Sequence, residues 1–274
     1  MATGFQAFKE DGTQFIDTSL MCYGLTKSAY LTFYAYWPRY TLKSIQLDPD
    51  NGANYNQGTP IEPIYGITLP SWRSPIAFLI GDGSPCGEAI VNGEKTLLFV
   101  GASASTKCYV FDLMYDAPLA AGFKCYRESD GELTFNSGQP PLNILTAIQP
   151  PGNGSGPGGD FYYTAYAGGY NSIGGIVMKS YVDVPIAAGE YAAYINFTRS
   201  AGCNGSASGM GGFEYDSQEG AFGYSGGVRF MFTIAAGARQ MIVGSYPYNY
   251  WRQIPALKPT ALVISTSKYP FPFN

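Results

Sequence analysis

Short apolar runs separated by glycine and proline turns dominate the pattern of hydrophobic and polar positions along this chain. The densest apolar and aromatic run of the first half covers residues 29–37, and the clearest alternation covers residues 228–234. Alternation with a period of two residues is typical of a half-buried β-strand, and no stretch carries a sustained helical stripe with capping residues. The pattern therefore predicts an all-β fold of the sandwich or barrel type.

One short phrase occurs twice. The copies span residues 4–18 and 122–137, and each contains an apolar strand, a turn with Asp-Gly and a second strand. Asp-Gly between two apolar runs predicts a hairpin, because the turn needs a positive φ that glycine adopts without steric cost. The repeat predicts two β-sandwich-like modules, residues 1–120 and 121–274, each opening with a Gly-Phe hairpin. The alternative is that hairpins look alike and the match is chance.

Composition separates this chain from disordered and nucleic-acid-binding proteins. Charged residues make up 13% and aromatic residues 16% of the sequence, whereas about a quarter of a typical domain is charged. An apolar, aromatic and weakly charged chain folds, and its surface favours assembly because neighbouring copies repel each other little. The net charge of −4 and the lack of a Lys/Arg cluster predict that nucleic acid is not a partner.

The cysteines predict neither a disulfide framework nor a zinc site. Their number is odd and no two form a CxxC pair; they are Cys22, Cys86, Cys108, Cys125 and Cys203. The turn at residues 48–52 lacks the later carboxylates of a calcium loop, so no metal is predicted. Reduced, mostly buried thiols fit a protein that assembles in a cytoplasm. There is no secretory pattern at the start and no apolar stretch near the ~20 residues of a membrane span.

The sequence contains no histidine, which removes the Ser-His-Asp and Cys-His arrangements and the usual base at neutral pH. No phosphate-binding or dinucleotide-binding motif occurs in a strand-to-helix context, so no cofactor is predicted. We therefore expect a protein that is not an enzyme. A glycosidase with paired carboxylates is the alternative, and the dense acidic candidates are Glu128, Asp130, Glu132, Glu214, Asp216 and Glu219.

Two aromatic clusters are candidate contacts with a receptor or a neighbouring subunit, because aromatic rings stack on sugar faces and fill protein pockets. The first cluster consists of Tyr246, Tyr248, Tyr250, Trp251 and Arg252. The second consists of Tyr162, Tyr163, Tyr166 and Tyr170, and it follows the Gly/Pro-rich segment 150–159. That segment is predicted to be a linker or a long loop. The alternative for both clusters is packing in the core of the module or against a neighbouring subunit.

The closing segment Tyr269-Pro270-Phe271-Pro272-Phe273 alternates aromatic residues with proline. Proline fixes φ and removes a backbone donor, so the segment suits a docking peptide better than a regular strand. We expect it to lie in a groove of a neighbouring chain, with the three aromatic side chains as the contacts.

The opening Met-x-x-Gly-Phe-Gln-Ala-Phe, followed by a polar glycine turn and an apolar-Asp pair, resembles small tail-tip and tail-fibre proteins of long-tailed bacteriophages. Those proteins often carry a second Gly-apolar hairpin near mid-chain that ends in Phe-Asp-Ser. Here the ending reads Phe135-Asn136-Ser137, with asparagine in place of the aspartate. The resemblance rests on these short motifs alone.

The resemblance implies a structural component of a tail tip, baseplate or tail fibre, located in the virion and assembled in the host cytoplasm. Such proteins are commonly homo-oligomers, often trimers, with other tail proteins as partners. The resemblance also implies a contribution to host attachment through a cell-surface glycan or protein. By analogy one module would attach to the tail and the other would face the host. We assign attachment to the first module, because its strands are more regular, and the host side to the second, which is richer in glycine loops and aromatic residues. The alternatives are a carbohydrate-binding protein or a capsid decoration protein of the virion.

Overall fold

The computed structural model describes residues 6–8, 10–12, 14–17, 20–119, 121–174, 177–207, 211–243 and 249–273. Across these ranges the chain forms β-strands joined by turns and loops, with 3-10 turns at Gly52–Asn54 and Thr266–Lys268 and no α-helix. The all-β, sandwich-like prediction is confirmed.

The strands of the first part are β1 (Gln6–Phe8), β2 (Gln14–Asp17), β3 (Tyr23–Tyr30), β4 (Thr32–Leu42), β5 (Tyr55–Leu69), β6 (Ile76–Ile80), β7 (Ser84–Val91), β8 (Glu94–Val100) and β9 (Lys107–Leu113). Those of the second part are β10 (Lys124–Tyr126), β11 (Leu133–Asn136), β12 (Thr146–Ile148), β13 (Phe161–Tyr162), β14 (Tyr170–Gly174), β15 (Val177–Ile195), β16 (Ser200–Ala207), β17 (Gly211–Ile234), β18 (Arg239–Val243), β19 (Tyr250–Arg252) and β20 (Ala261–Ser265).

Within the described ranges, sixteen strands join into one mixed sheet. Its longest path runs in the order β12, β20, β15, β6, β17, β18, β4, β5, β8, β7. Neighbouring strands are mostly antiparallel, but β6 runs parallel to β17 and β18 runs parallel to β4. The pairings of β6 and β4 connect strands before residue 120 to strands after it, so the predicted module boundary does not coincide with a break in the sheet.

The hydrophobic core lies on both faces of β17. Phe230 and Phe232 pack into a cluster that contains Trp251, whereas Met231 packs into a cluster with Leu79 on the other side. The alternating run 228–234 is therefore buried on both faces rather than half-buried. The second cluster combines residues from before and after position 120, so the boundary does not separate two cores either.

The two predicted hairpins form and are built alike. β1 pairs with β2, and β10 pairs with β11, each as a separate two-stranded sheet. Both pairs have a register shift between the second and third residues of the first strand, and both turns contain a glycine with positive φ, 81° at Gly12 and 71° at Gly131. The sequence repeat is thus a structural repeat of the hairpin.

The Gly/Pro-rich segment 150–159 is a loop that packs closely against the chain that follows it. Tyr163 N donates to Ser155 O at 2.9 Å, and Ala167 N donates to Gly152 O at 2.7 Å. A Cβ atom at Gly156 would lie 1.6 Å from Phe161 O. Glycine is therefore required there because two backbone segments approach each other directly.

Candidate functional site

A cleft of about 680 Å³ opens where β16, β17, β18 and β19 meet the turn that precedes β5. Most of its lining is polar or small. Its charged lining residues are Asp50, Glu214, Asp216, Arg239 and Arg252.

The strand register brings three of these side chains onto one face. β16 lies between β17 and β19, so that Gly202 is opposite Asp216 on one side and opposite Arg252 on the other. Two positions along, Asn204 is opposite Glu214. Directly opposite residues, and residues two apart on one strand, point to the same side of a sheet. The register therefore places Glu214, Asp216 and Arg252 together on the floor of the cleft.

Arg252 reaches Glu214 by crossing β16 above Gly202. The Nη2 atom of Arg252 donates to Glu214 Oε2 at 2.8 Å, while Glu214 Oε1 accepts a 2.8 Å hydrogen bond from Asn204 Nδ2. A Cβ atom at position 202 would lie 2.9 Å from both Cγ and Nε of Arg252. The missing side chain of Gly202 therefore provides the space in which the arginine lies.

A second ion pair lines the same cleft. Arg239 Nε donates to Asp216 Oδ2 at 3.1 Å, and Arg239 Nη1 donates to Pro49 O at 3.2 Å. The hydrogen bond with Asp216 raises the pKa of Arg239 above its ordinary value. Both side chains are about half exposed. The pair thus presents charged donors and acceptors to solvent at the cleft rim.

Amide side chains complete the lining. Gln240 Nε2 donates to Thr41 Oγ1 at 2.9 Å. The exposed Gln253 has a φ of 57°, in the left-handed region that residues other than glycine adopt rarely and mostly at functional or strained positions. The cleft therefore offers hydrogen-bond donors and acceptors side by side, and its charged lining contains three carboxylates and two guanidinium groups.

The first predicted contact cluster is divided between the cleft and the core. Arg252 lines the cleft, but Trp251 is fully buried, with its ring centre 5.6 Å from that of Phe232 and Nε1 donating to Asn171 Oδ1 at 3.3 Å. Tyr250 is 9% exposed. Consecutive residues of a strand face opposite ways, so Arg252 points outward where Trp251 points inward. Trp251 is therefore a core residue, as in the alternative interpretation that the cluster packs in the core. Tyr246 and Tyr248 lie outside the described residues.

The second predicted cluster also divides. Tyr166 is fully buried and its hydroxyl donates to Glu219 Oε1 at 2.8 Å, whereas Tyr162 is half-buried against the same core. Burial, with the adjacent Glu219, raises the pKa of Tyr166 well above its ordinary value. Tyr163 and Tyr170 are exposed, and the Tyr170 ring stacks on Tyr181 at 5.4 Å. The four tyrosines do not form one surface.

The segment 269–273 docks on its own chain, which corrects the expectation that it lies in a groove of a neighbouring chain. Phe273 exchanges two backbone hydrogen bonds of 2.8 Å with Ser28 of β3. Tyr269 and Phe271 pack against Tyr109, at centroid distances of 6.4 and 5.5 Å. Ser28 of β3 and the aromatic residues Tyr109 and Phe111 of β9 therefore form a groove for this segment on the same chain.

The acidic candidates lie at three separate places. Glu214 and Asp216 line the cleft. Asp130 and Glu132 lie in the turn of the second hairpin and pair with Arg127; Glu128 belongs to the same turn. Glu219 is fully buried and accepts two hydrogen bonds from Arg199, at 2.7 and 2.8 Å. The structure therefore places two of the six in the cleft, three in one hairpin turn and one in the core.

Sequence reasoning missed Gly202, Arg239 and Gln240 as parts of this cleft. Gly202 sits in a run of small, glycine-rich residues without an apolar alternation, and it belongs to β16. Arg239 and Gln240 reach the cleft through the pairing of β18 with β17, at Tyr215 and its neighbours. No local signal in the sequence identifies a pairing between distant strands.

Comparisons of the chain with known protein families, with curated proteins and with solved structures found no match. Among the described residues, no helix is long and apolar enough to cross a membrane. In the same part of the chain, no group of three or more Cys, Asp or Glu side chains is placed to hold a metal ion.

Proposed function

We propose that this chain is a structural component of a bacteriophage tail tip, baseplate or tail fibre, and that its cleft binds a neutral saccharide of the host surface. It works in the virion without catalysis, as a homo-oligomer that contacts other tail proteins. The observation that carries the proposal is the cleft in which two arginine–carboxylate pairs lie beside amide side chains.

The chemistry of the cleft suits hydroxyl groups. Each sugar hydroxyl donates one hydrogen bond and accepts others, so it can bridge a carboxylate oxygen and a guanidinium N–H on neighbouring residues. Glu214 and Arg252 offer such a pair, as do Asp216 and Arg239. With Asp50 the charged lining has one more negative than positive side chain. A neutral saccharide therefore fits better than an acidic one, which like charges would repel.

The carboxylate arrangement favours binding over hydrolysis. A glycosidase needs one carboxyl group that gives a proton to the leaving oxygen and a second that attacks or activates water. Glu214 and Asp216 each already accept hydrogen bonds from an arginine. Both are therefore engaged as acceptors in the way that a binding surface uses them.

The virion context is supported by the resemblance of the opening motif to phage tail proteins and by the equivalent build of the two hairpins. The cleft is lined mainly by residues after position 200, with Pro49, Asp50 and Tyr55 from the first part. This distribution of lining residues supports the proposal that the part of the chain after residue 120 faces the host.

The test is an array of neutral and acidic bacterial surface saccharides probed with the purified chain and with Arg252→Ala. We expect binding to a neutral saccharide that the substitution weakens about tenfold or more, since it removes a charge-assisted hydrogen-bond donor. Binding confined to acidic saccharides, or binding that Arg252→Ala leaves unchanged, would contradict the proposal. Release of reducing ends from the bound saccharide would favour the glycosidase instead.

The proposed location of the chain in the virion has a separate test, because that location does not depend on which ligand the cleft binds. Antibody against the chain, used for immunogold labelling of purified virions, is expected to label the tail end. Label on the head would favour a capsid decoration protein, and unlabelled particles would remove the virion context.

A further inference from the structure

A second cavity, of about 260 Å³, lies where the loop after β5 meets β3 and the end of β9. It shares no lining residue with the cleft described above. Leu69, Trp72 and Leu113 supply apolar lining, and the first two also pack with the core cluster that contains Leu79. An apolar cavity of about 150 Å³ already accepts benzene. The Trp72 cavity therefore has room for one ring with a short side chain.

The indole of Trp72 is held in a fixed position beside the cavity. Its Nε1 donates to Gly93 O at 3.3 Å, and the Lys95 ammonium lies 3.9 Å from the ring centre. Lys95 does not line the cavity, so the indole meets the cavity with surface that the ammonium leaves open. The ring thus presents a flat apolar wall on which another ring can pack.

The loop that carries Trp72 is fixed to β9 by a buried carboxylate. Asp112 is 3% exposed, and its Oδ2 accepts from Arg73 N at 2.7 Å. Its Oδ1 accepts from Ser74 N and from Leu113 N, both at 2.7 Å. Three backbone donors therefore satisfy the carboxylate, and the wall of the cavity is formed by the chain's own contacts.

Among the described residues, Lys27 is the charged lining group without a counter-ion. Its Nζ donates to Thr68 O at 2.9 Å, which uses one of the three donors of an ammonium group. Arg73, the second cation of the lining, pairs with Glu132. With Asp112 as the one carboxylate, the charged lining is net positive, opposite in sign to that of the cleft.

We propose that the Trp72 cavity binds a small aromatic carboxylate, with the ring of the ligand against Trp72 and its carboxylate on the Lys27 ammonium. An apolar pocket with a few placed polar groups is the usual build of a small-molecule site. An anion suits this one, because Lys27 has donors to spare and the lining is net positive. The site is separate from the cleft, so it does not depend on the function proposed for the cleft.

The first experiment compares two probes of the same shape, 3-phenylpropionate and its neutral amide, 3-phenylpropanamide. Each is titrated against the full chain and followed by saturation-transfer NMR. We expect the acid to bind about tenfold more tightly than the amide, because only the acid forms a charge-assisted hydrogen bond with the ammonium. Lys27→Met keeps the apolar stem and removes the charge, so it should lower the affinity for the acid to that for the amide and leave the amide unaffected.

Lys43→Met is the matched control. Lys43 is exposed and also donates Nζ to a backbone carbonyl, Ala53 O at 2.6 Å, but it does not line the cavity. This substitution should leave the binding of both probes unchanged. Circular dichroism confirms that each variant is folded.

The second experiment locates the ligand by using 3-(4-bromophenyl)propionate, because bromine quenches the fluorescence of a tryptophan that it contacts. We expect saturable quenching that Trp72→Phe abolishes and that Trp37→Phe, a substitution outside the cavity, leaves in place. Both substitutions keep an apolar ring. Equal affinities for acid and amide, acid binding that Lys27→Met leaves unchanged, quenching that persists in Trp72→Phe, or no saturable binding of the acid would each overturn the proposal.

Discussion

Gly202 decides whether Arg252 can reach Glu214. In Gly202→Ala the new Cβ would lie 2.9 Å from two atoms of the arginine side chain, which must then leave its position across β16. Gly202 does not have a positive φ, so the substitution adds no backbone strain. We predict that saccharide affinity falls about tenfold, or roughly 1.4 kcal/mol, as measured by isothermal titration calorimetry.

A matched control is available in the same chain. A Cβ atom added at Gly152 meets nothing within 4 Å, and that glycine too lacks a positive φ. Gly152→Ala should therefore leave affinity unchanged. Equal effects of the two substitutions on binding would show that Arg252 does not depend on the space at position 202.

Asn136, the last residue of β11, acts as a buried donor. Its Nδ2 donates to Tyr115 O at 3.1 Å, and its Oδ1 accepts from Gly138 N at 3.0 Å. A carboxylate cannot donate, so Asn136→Asp would place an acceptor against a carbonyl oxygen. We predict a loss of about 1–3 kcal/mol in the free energy of unfolding, measured by urea denaturation.

The exposed Asn56 serves as the comparison for that change. Asn56→Asp should alter the free energy of unfolding by less than about 0.5 kcal/mol. If Asn136→Asp were equally harmless, the amide of Asn136 would not be the reason for asparagine at this position.

Residue-level prediction from the sequence succeeded where one residue type determines the local geometry. Asp-Gly at 11–12 and 130–131 identified both turns, because glycine alone adopts the positive φ there at no cost. Trp251 and Arg252 could not be assigned to opposite faces, because β19 is only three residues long and is too short to show an apolar–polar alternation.

At the level of elements, β17 is anchored to the residues before β16 by a buried ion pair. Arg199 and Glu219 have 1% and 0% of their side-chain surfaces exposed, and Arg199 Nη1 also donates to Pro255 O at 2.9 Å. Removing one partner leaves a buried charge without its counter-ion. We predict that Glu219→Gln lowers the free energy of unfolding by about 3–5 kcal/mol, measured by chemical denaturation.

The ion pair between Arg73 and Glu132 is an exposed counterpart of the buried pair, because its side chains are 43% and 35% exposed. Glu132→Gln should cost less than about 1 kcal/mol, because solvent screens an exposed pair. A similar small loss for Glu219→Gln would mean that the buried pair does not hold β17 in place.

The elements themselves were largely predictable, but their pairing was not. The hairpins β1–β2 and β10–β11 join neighbouring segments, so turn chemistry was enough to find them. In contrast, β6 pairs with β15 and β17, more than a hundred residues away. An apolar run shows that a strand will be buried but not which strand it will pair with. The cleft depends on such distant pairings, so it could not be assembled from local patterns.

Across the molecule the five cysteines are reduced thiols that differ in burial, and their burial predicts an order of reactivity. Burial raises the pKa of Cys86 and of Cys203 to about 12, and it raises that of the fully buried Cys108 as well. A raised pKa leaves less thiolate at pH 8, and only the thiolate is alkylated rapidly.

We therefore predict that iodoacetamide at pH 8 modifies the partly exposed Cys22 and Cys125 first and leaves Cys108 and Cys203 unmodified until the chain is denatured. Mass spectrometry of tryptic peptides measures the order. Early modification of Cys203 in the folded protein would contradict the packing of the core around β16 and β17.

The saccharide site can be tested with a crystal structure of the chain bound to the neutral saccharide that binds most tightly on the array. We predict electron density for the sugar in the cleft, with its hydroxyl groups hydrogen-bonded to Arg252, Glu214, Asp216 and Arg239. Density for the sugar elsewhere, such as on the exposed Tyr170, together with an empty cleft, would contradict this prediction.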